Sequence, residues 1–174
     1  FGDIPALYEF DVEPREIMLD ALLKVETKIR SALAYEFCAA YGESQSMYLD
    51  VRCYAASKGA KRVLPKLLNM LDYIANKDTS HEYLAHYRRA YKNVPLWVAV
   101  NAMTFGQISK MFTALRDNEK ARIAKRFEIG NPKELSSFIR VLAFYRNVCA
   151  HGERLFSHRC HVEIPDTALH AKLG

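Results

Sequence analysis

The stretch Tyr145-Arg146-Asn147-Val148-Cys149-Ala150-His151-Gly152 brings an arginine, an amide and an imidazole close together in the chain. These side-chain types suit cleavage of a phosphodiester without a metal. A guanidinium holds the phosphate, an amide orients it, and an imidazole moves protons near neutral pH. The same residues also have an ordinary structural reading. A histidine at a helix end serves as a cap, and an arginine on an apolar stripe serves as half of an ion pair.

The element that must carry these residues is a helix. Asn131-Pro132-Lys133-Glu134 predicts its start, with an N-cap, a proline at the first position and an acid at the third. It should run to His151, with Gly152 as a left-handed terminator. Its apolar stripe is Leu135, Phe138, Ile139, Leu142 and Cys149. Arg146 continues that stripe, so it is expected at an interface or partly buried against a partner. Asn147 and His151 are four apart and share a face. Arg146 and His151 lie roughly 140° apart around the helix, so only the long arginine side chain can bring its head group near the ring. His151 falls in the last turn, where the helix dipole favours positive charge.

The rest of the chain also reads as helical, which makes the fold class all-α. Glycine and proline are sparse, and no segment alternates at a period of two. The spacing predicts a long helix from Pro14 to about Tyr41, stopped by Gly42, and another over Ser57 to Asn76. Thr79 or Ser80 is expected to cap a shorter helix reaching Tyr91. A segment from Pro95 to Leu115 should kink at Gly106, and Trp97 is read as core. Asn118 to Phe127 makes a short basic helix, and the tail from Arg154 to Gly174 reads as irregular. No repeat or linker divides the 174 residues, so a single domain over 1–174 is expected.

Composition bounds the function. No apolar run approaches a membrane span, and no signal peptide is visible. Cys38, Cys53, Cys149 and Cys160 lack disulfide-framework spacing and suit a reducing cytoplasm. A net charge of +5 permits a polyanionic partner. Three basic groups could meet one: Lys58, Lys61, Arg62 and Lys66; Arg88, Arg89 and Lys92 with Tyr87 and Tyr91; and Lys120, Arg122, Lys125 and Arg126. Each also reads as a solvated helix face. Cys149, His151, His158, Cys160 and His161 match no standard zinc spacing, so no metal is expected. The chain starts at Phe1 without an initiator methionine, and Phe1 to Tyr8 reads as mid-protein, so it is read as a fragment.

Three blocks carry a family resemblance. Leu7-Tyr8-Glu9-Phe10-Asp11, with Arg15, Val25-Glu26 and Arg30, resembles the first block of the Abi-like phage-resistance family. Pro95-Leu96-Trp97-Val98 with Thr104-Phe105-Gly106 resembles the central block, and Phe144 through Phe156 the closing one. The blocks occur in the family's order and cover nearly the whole chain. Pro14 stands where the family usually has a leucine, and the usual N-terminal extension is missing. The family resembles a branch of the HEPN superfamily, helical domains with an Arg-x4-6-His motif, many of them metal-independent ribonucleases.

The resemblance implies a HEPN-like helical bundle with long antiparallel helices, acting as an endoribonuclease in phage defence. It implies that Arg146 and His151 are catalytic, with Asn147 as their polar neighbour. Glu26 becomes a counter-ion for Arg146 or Arg30; otherwise it is a surface acid paired with Arg30 along the helix. The implied reaction is attack of an RNA 2′-hydroxyl on the adjacent phosphorus. It needs a base, an acid and positive charge on the phosphorane, with no cofactor. One histidine does not easily serve as base and acid in one step, so the chemistry favours a homodimer. The other reading is a non-catalytic module that binds RNA or protein.

Overall fold

A computed structural model describes residues 3–164, 166, 170 and 171, with side chains from Glu9 onward. The side chains of Leu7 and Tyr8, and tail positions 165, 167–169 and 172–174, lie outside the described residues. The described residues form helices and no strand, so the chain is all-α. The helices are α1 (Asp3–Tyr41), α2 (Gln45–Tyr48), α3 (Lys58–Asn76), α4 (Glu82–Tyr91), α5 (Leu96–Ala99), α6 (Phe105–Ala114), α7 (Asp117–Arg126) and α8 (Pro132–Ala150).

Local chemistry explains most of the boundaries. Gly42, at φ +91°, ends α1, and its N–H returns to the Cys38 carbonyl. Ser57 caps α3 by accepting from the Ala60 N–H at 3.3 Å. Thr104 and Gln107 form a capping box at the start of α6, in which the Gln107 side chain accepts from the Thr104 N–H at 2.7 Å.

The structure corrects four sequence expectations. First, α1 does not start at Pro14 but passes through it. Pro14 is exposed, and so is Phe10, whose carbonyl loses its helical partner there on a solvent-facing side of the helix. Second, Thr79 and Ser80 do not cap α4, because the Asp78 carboxylate takes the Ser80 N–H at 2.7 Å and delays the helix to Glu82. Third, Gly106 is no kink. It lies in the first turn of α6, and α5 is a separate single turn. Fourth, Trp97 is 47% exposed, because α5 turns Leu96, Val98 and Ala99 inward and leaves the indole outside.

The chain divides into two compact units. One combines residues up to Lys28 with those from Lys133 onward; the other is Ile29–Pro132. In the second unit α3 packs on α6, joining Leu64, Leu67 and Leu71 to Ile108, Met111 and Phe112 in a dry core. The Tyr48 hydroxyl reaches the Val94 carbonyl at 2.8 Å inside it. In the first unit α1 meets α8 and the turn after it at two places. Glu26 pairs with Arg146, and Asp11 with the backbone at Leu155 and Phe156. Moving forward along α1 therefore means moving back along the closing segment, so α1 and α8 are antiparallel.

One buried carboxylate ties α7 to α1 within the second unit. Glu36 accepts from Arg122 Nε at 2.7 Å and from Arg126 Nε at 2.7 Å. Burial pushes its carboxyl up, but the hydrogen bonds from Arg122 and Arg126 outweigh that and hold it below 4.5. A folded-state pKa lowered in this way gives stability that is present at neutral pH and lost as pH falls below 4.5. We expect denaturant melts to show this loss as pH falls through and below the ordinary glutamate range. Glu36→Gln should cost about 2 kcal/mol at neutral pH and flatten the acid limb. An unchanged limb in Glu36→Gln would assign the acid loss to other carboxylates.

Candidate functional site

Helix α8 begins with Pro132 and carries Glu134 in its first turn. It buries Leu135, Ile139, Val141, Ala143, Val148 and Cys149, while Phe138 and Leu142 are half-buried. The apolar surface is thus broader than the predicted stripe. Arg146 continues it and is partly buried, as its position required. Its partner is Glu26 of α1: Arg146 Nε donates to Glu26 Oε2 at 3.0 Å. The carboxylate side chain is 4% exposed and the arginine 26%, so the pair bridges core and solvent. Glu26 is therefore a buried counter-ion and not a surface acid. Arg146 uses Nε for this bond, and among the described residues its two terminal nitrogens make no hydrogen bond.

The end of α8 determines where His151 stands. The Gly152 N–H returns to the Cys149 carbonyl and the Glu153 N–H to the Val148 carbonyl, with Gly152 at φ +69°. This pair of bonds is a Schellman turn, and it makes His151 the residue between helix and turn. The His151 N–H still bonds the Asn147 carbonyl at 3.0 Å, so the two residues remain one helical step apart. Both side chains are exposed. Arg146, Asn147 and His151 therefore share one helix end. Among the described residues, Arg146 and His151 make no hydrogen bond to each other.

The chain beyond the turn is held by a pair whose role the sequence did not disclose. Asp11 is buried, and its two carboxylate oxygens accept from the Leu155 N–H at 3.2 Å and the Phe156 N–H at 3.1 Å. Arg15 bonds Asp11 Oδ2 and also donates to the Glu153 carbonyl, each at 3.3 Å. Together they fix both ends of residues 153–156 to α1. The signal available in the sequence was an acid and an arginine four apart on the helix face that also carries Leu22 and Glu26. His158 Nε2 lies 2.5 Å from Glu153 Oε2 in the same segment.

The other sequence candidates separate. Cys149, which a zinc reading needs, is buried, and burial pushes its thiol up, away from the thiolate a metal takes. Of the basic groups, Arg88 donates to the carbonyls of Ile74, Ala75 and Asp78, and Arg122 and Arg126 hold Glu36. Lys58, Lys61, Arg62 and Lys66 remain an exposed row on α3. No helix among the described residues is long and apolar enough to cross a membrane.

Asp11→Ala removes both acceptors for the turn and leaves Arg15 without its carboxylate. The expected loss is about 2–4 kcal/mol, from two orphaned backbone donors and a broken, largely buried pair. Hydrogen exchange at the Leu155 and Phe156 amides should accelerate well beyond that of the amides in α8. Unchanged protection at those two amides would show that Asp11 does not hold the segment.

No curated protein and no solved structure matches this chain significantly. The family described as Abi-like protein matches residues 1–157. The match spans α1 through α8 and the turn that follows, so it includes Asp11, Glu26, Arg146 and His151. A match over most of the chain means that this protein belongs to the Abi-like family, and with it to abortive infection, a bacterial defence against phage.

Proposed function

We propose that the chain is a metal-independent endoribonuclease of the HEPN type, one domain over its length, working in the cytoplasm on phage infection. The observation that carries this reading is the anchored arginine. Buried Glu26 holds Arg146 by Nε and leaves two terminal nitrogens for other use, while Asn147 and His151 stand exposed within two turns of it. A guanidinium fixed at Nε offers a rigid two-donor edge that matches two oxygens of a phosphate. In the proposed reaction Arg146 stabilises the phosphorane and Asn147 orients it. His151 exchanges a proton with the attacking 2′-hydroxyl or the leaving 5′-oxygen. The second of those proton transfers falls to a second histidine, and a homodimer supplies it from the other protomer.

The buried ion pair also suits the other reading, a non-catalytic module in which Arg146 serves structure alone. Cleavage separates the two. His151→Ala should fold, since a histidine at a helix C-terminus contributes at most about 2 kcal/mol, and should lose about 10²–10⁴-fold in cleavage rate. Arg146→Lys keeps the charge for Glu26 but loses the planar fork, and should lose about 10²-fold or more. Wild-type cleavage should persist in EDTA and leave 2′,3′-cyclic phosphate ends. A folded His151→Ala protein that cleaves at the wild-type rate removes His151 from the chemistry. Products with 5′-phosphates, formed only with Mg²⁺, overturn the mechanism.

Mixing tests the shared cleft. Arg146→Lys and His151→Ala homodimers each lack one group throughout, whereas the mixed dimer keeps one arginine and one histidine. After subunit exchange, confirmed by native mass, cleavage should rise above both parents and stay below wild type. Activity that stays at parental level after confirmed exchange argues for sites complete within one chain.

A further inference from the structure

Helix α3 buries Ala60, Leu64, Leu67, Leu71 and Ile74 in the core of the second unit, which leaves its opposite face in water. That face opens with Lys58, Lys61, Arg62 and Lys66, all exposed. Among the described residues, none of the four makes a side-chain hydrogen bond or an ion pair. They differ in this from Arg88, Arg122 and Arg126, whose charges are met by carbonyls or by Glu36. The first turn of α3 carries no acid. Lys58 and Lys61 stand at the end where the helix dipole opposes positive charge, and the row sets like charges three and four residues apart. Both placements destabilise the helix. The row therefore contributes no polar contact to the fold and lowers its stability.

Lys58, Arg62 and Lys66 follow one another at four-residue steps, so they stand about 6 Å apart along the axis. Asn69 and Tyr73 continue the line, and all five positions fall within about 80° of one another around the helix. Asn69 is exposed and Tyr73 is 50% exposed. The one acid of α3, Asp72, lies about 100° around the helix from Tyr73. Its charge is met by Lys77 at 3.5 Å, and Asn76 Nδ2 donates to it at 2.8 Å. One rigid face thus carries unpaired cations, then an amide, then an open ring, over about 22 Å. A chain of regularly spaced negative charges that also bears flat rings matches that order, and such a chain is a single strand of nucleic acid. An anionic membrane matches it less well, because among the described residues Tyr73 is the only large apolar side chain that α3 exposes. An acidic protein does too, since lysine is depleted in protein interfaces. We propose that α3 carries single-stranded RNA, with phosphates along Lys58, Arg62 and Lys66 and a base stacked on Tyr73. The choice of RNA over DNA rests on the ribonuclease reading; the single strand rests on the face itself.

The full-length His151→Ala chain, which should leave RNA intact, is titrated with a labelled single-stranded oligoribonucleotide and followed by anisotropy over a range of salt. Lys58→Gln, Arg62→Gln and Lys66→Gln, combined in that chain, should weaken binding at low salt about tenfold or more. The slope of log affinity against log salt should flatten by about 2, from about 0.7 for each of the three phosphate contacts. The denaturant midpoint of the same variant should rise, because the like charges are gone. Tyr73→Ala should weaken binding about tenfold without changing the salt slope, and Tyr73→Phe should bind as its parent does. An RNA duplex, whose bases already stack on one another, should bind Tyr73→Ala and its parent equally. Unchanged affinity and slope in the combined variant overturn the proposal. So does unchanged single-strand affinity in Tyr73→Ala, or a failure of the parent to bind RNA. Tighter binding through the row to phosphatidylserine vesicles or to polyglutamate than to RNA overturns it in favour of a membrane or an acidic protein. RNA binding through the row, with no cleavage by the wild-type chain, keeps this proposal and rejects the nuclease; wild-type cleavage with binding that ignores the row does the reverse.

Discussion

The ion pair between Glu26 and Arg146 is the constraint on which the first unit depends. A carboxylate this deeply buried carries a desolvation cost of several kcal/mol, and it is tolerated only with a matched cation in place. Loss of Arg146 would take a matched cation away from this buried carboxylate. The pair consequently selects one register of α1 against α8, since a slip of one turn would separate the charges by about 5.4 Å. The same contact fixes the side chain that the proposed chemistry uses. The packing of the first unit and the proposed chemistry thus share one bond.

Two further buried acids on α1 repeat the device. Asp11 secures the turn after α8, and Glu36 secures α7 within the second unit. At roughly 100° per residue, Asp11 and Glu26 of the first unit fall about 60° apart around the helix, on the face that carries Leu22, and Glu36 of the second unit falls on the face that carries Ile29 and Leu33. In each unit the buried face of α1 is therefore apolar and acidic together. Each acid meets either arginine or backbone N–H groups, so the charges act as position markers in an otherwise non-directional hydrophobic surface. The helix is in effect indexed three times along its length.

The turn at Gly152 gives the histidine its setting. The Schellman bonds satisfy the last carbonyls of α8 without a side-chain cap, so His151 is not needed for capping and its ring stays in water. Asp11 and Arg15 then hold the outgoing strand of backbone, which keeps the turn from unwinding into the helix end. A side chain placed at such a junction has a fixed base and a free tip, a condition under which an imidazole can act on a bound substrate.

Much of this was written in local sequence. The apolar spacing, Gly42, Ser57, the Asn131-Pro132 start and Gly152 specify helices and ends through chemistry confined to a few neighbouring residues, so α1, α3 and α8 were legible along with the Arg146, Asn147 and His151 grouping. Local signals failed where a neighbouring group or the exposure of the element overrode them. Pro14 reads as a start but is passed over because its face is solvated. Thr79 and Ser80 read as caps but lose to the Asp78 carboxylate. Trp97 reads as core by its type, yet the single turn of α5 buries its neighbours instead. The sequence determined by itself the class of the fold, the position of the motif on its helix and the need of Arg146 for a partner. Only the tertiary structure decided that the partner is Glu26 and that Asp11 and Arg15 hold the turn. These pairings join residues far apart in the chain, and no local rule of spacing or propensity encodes which distant surfaces meet.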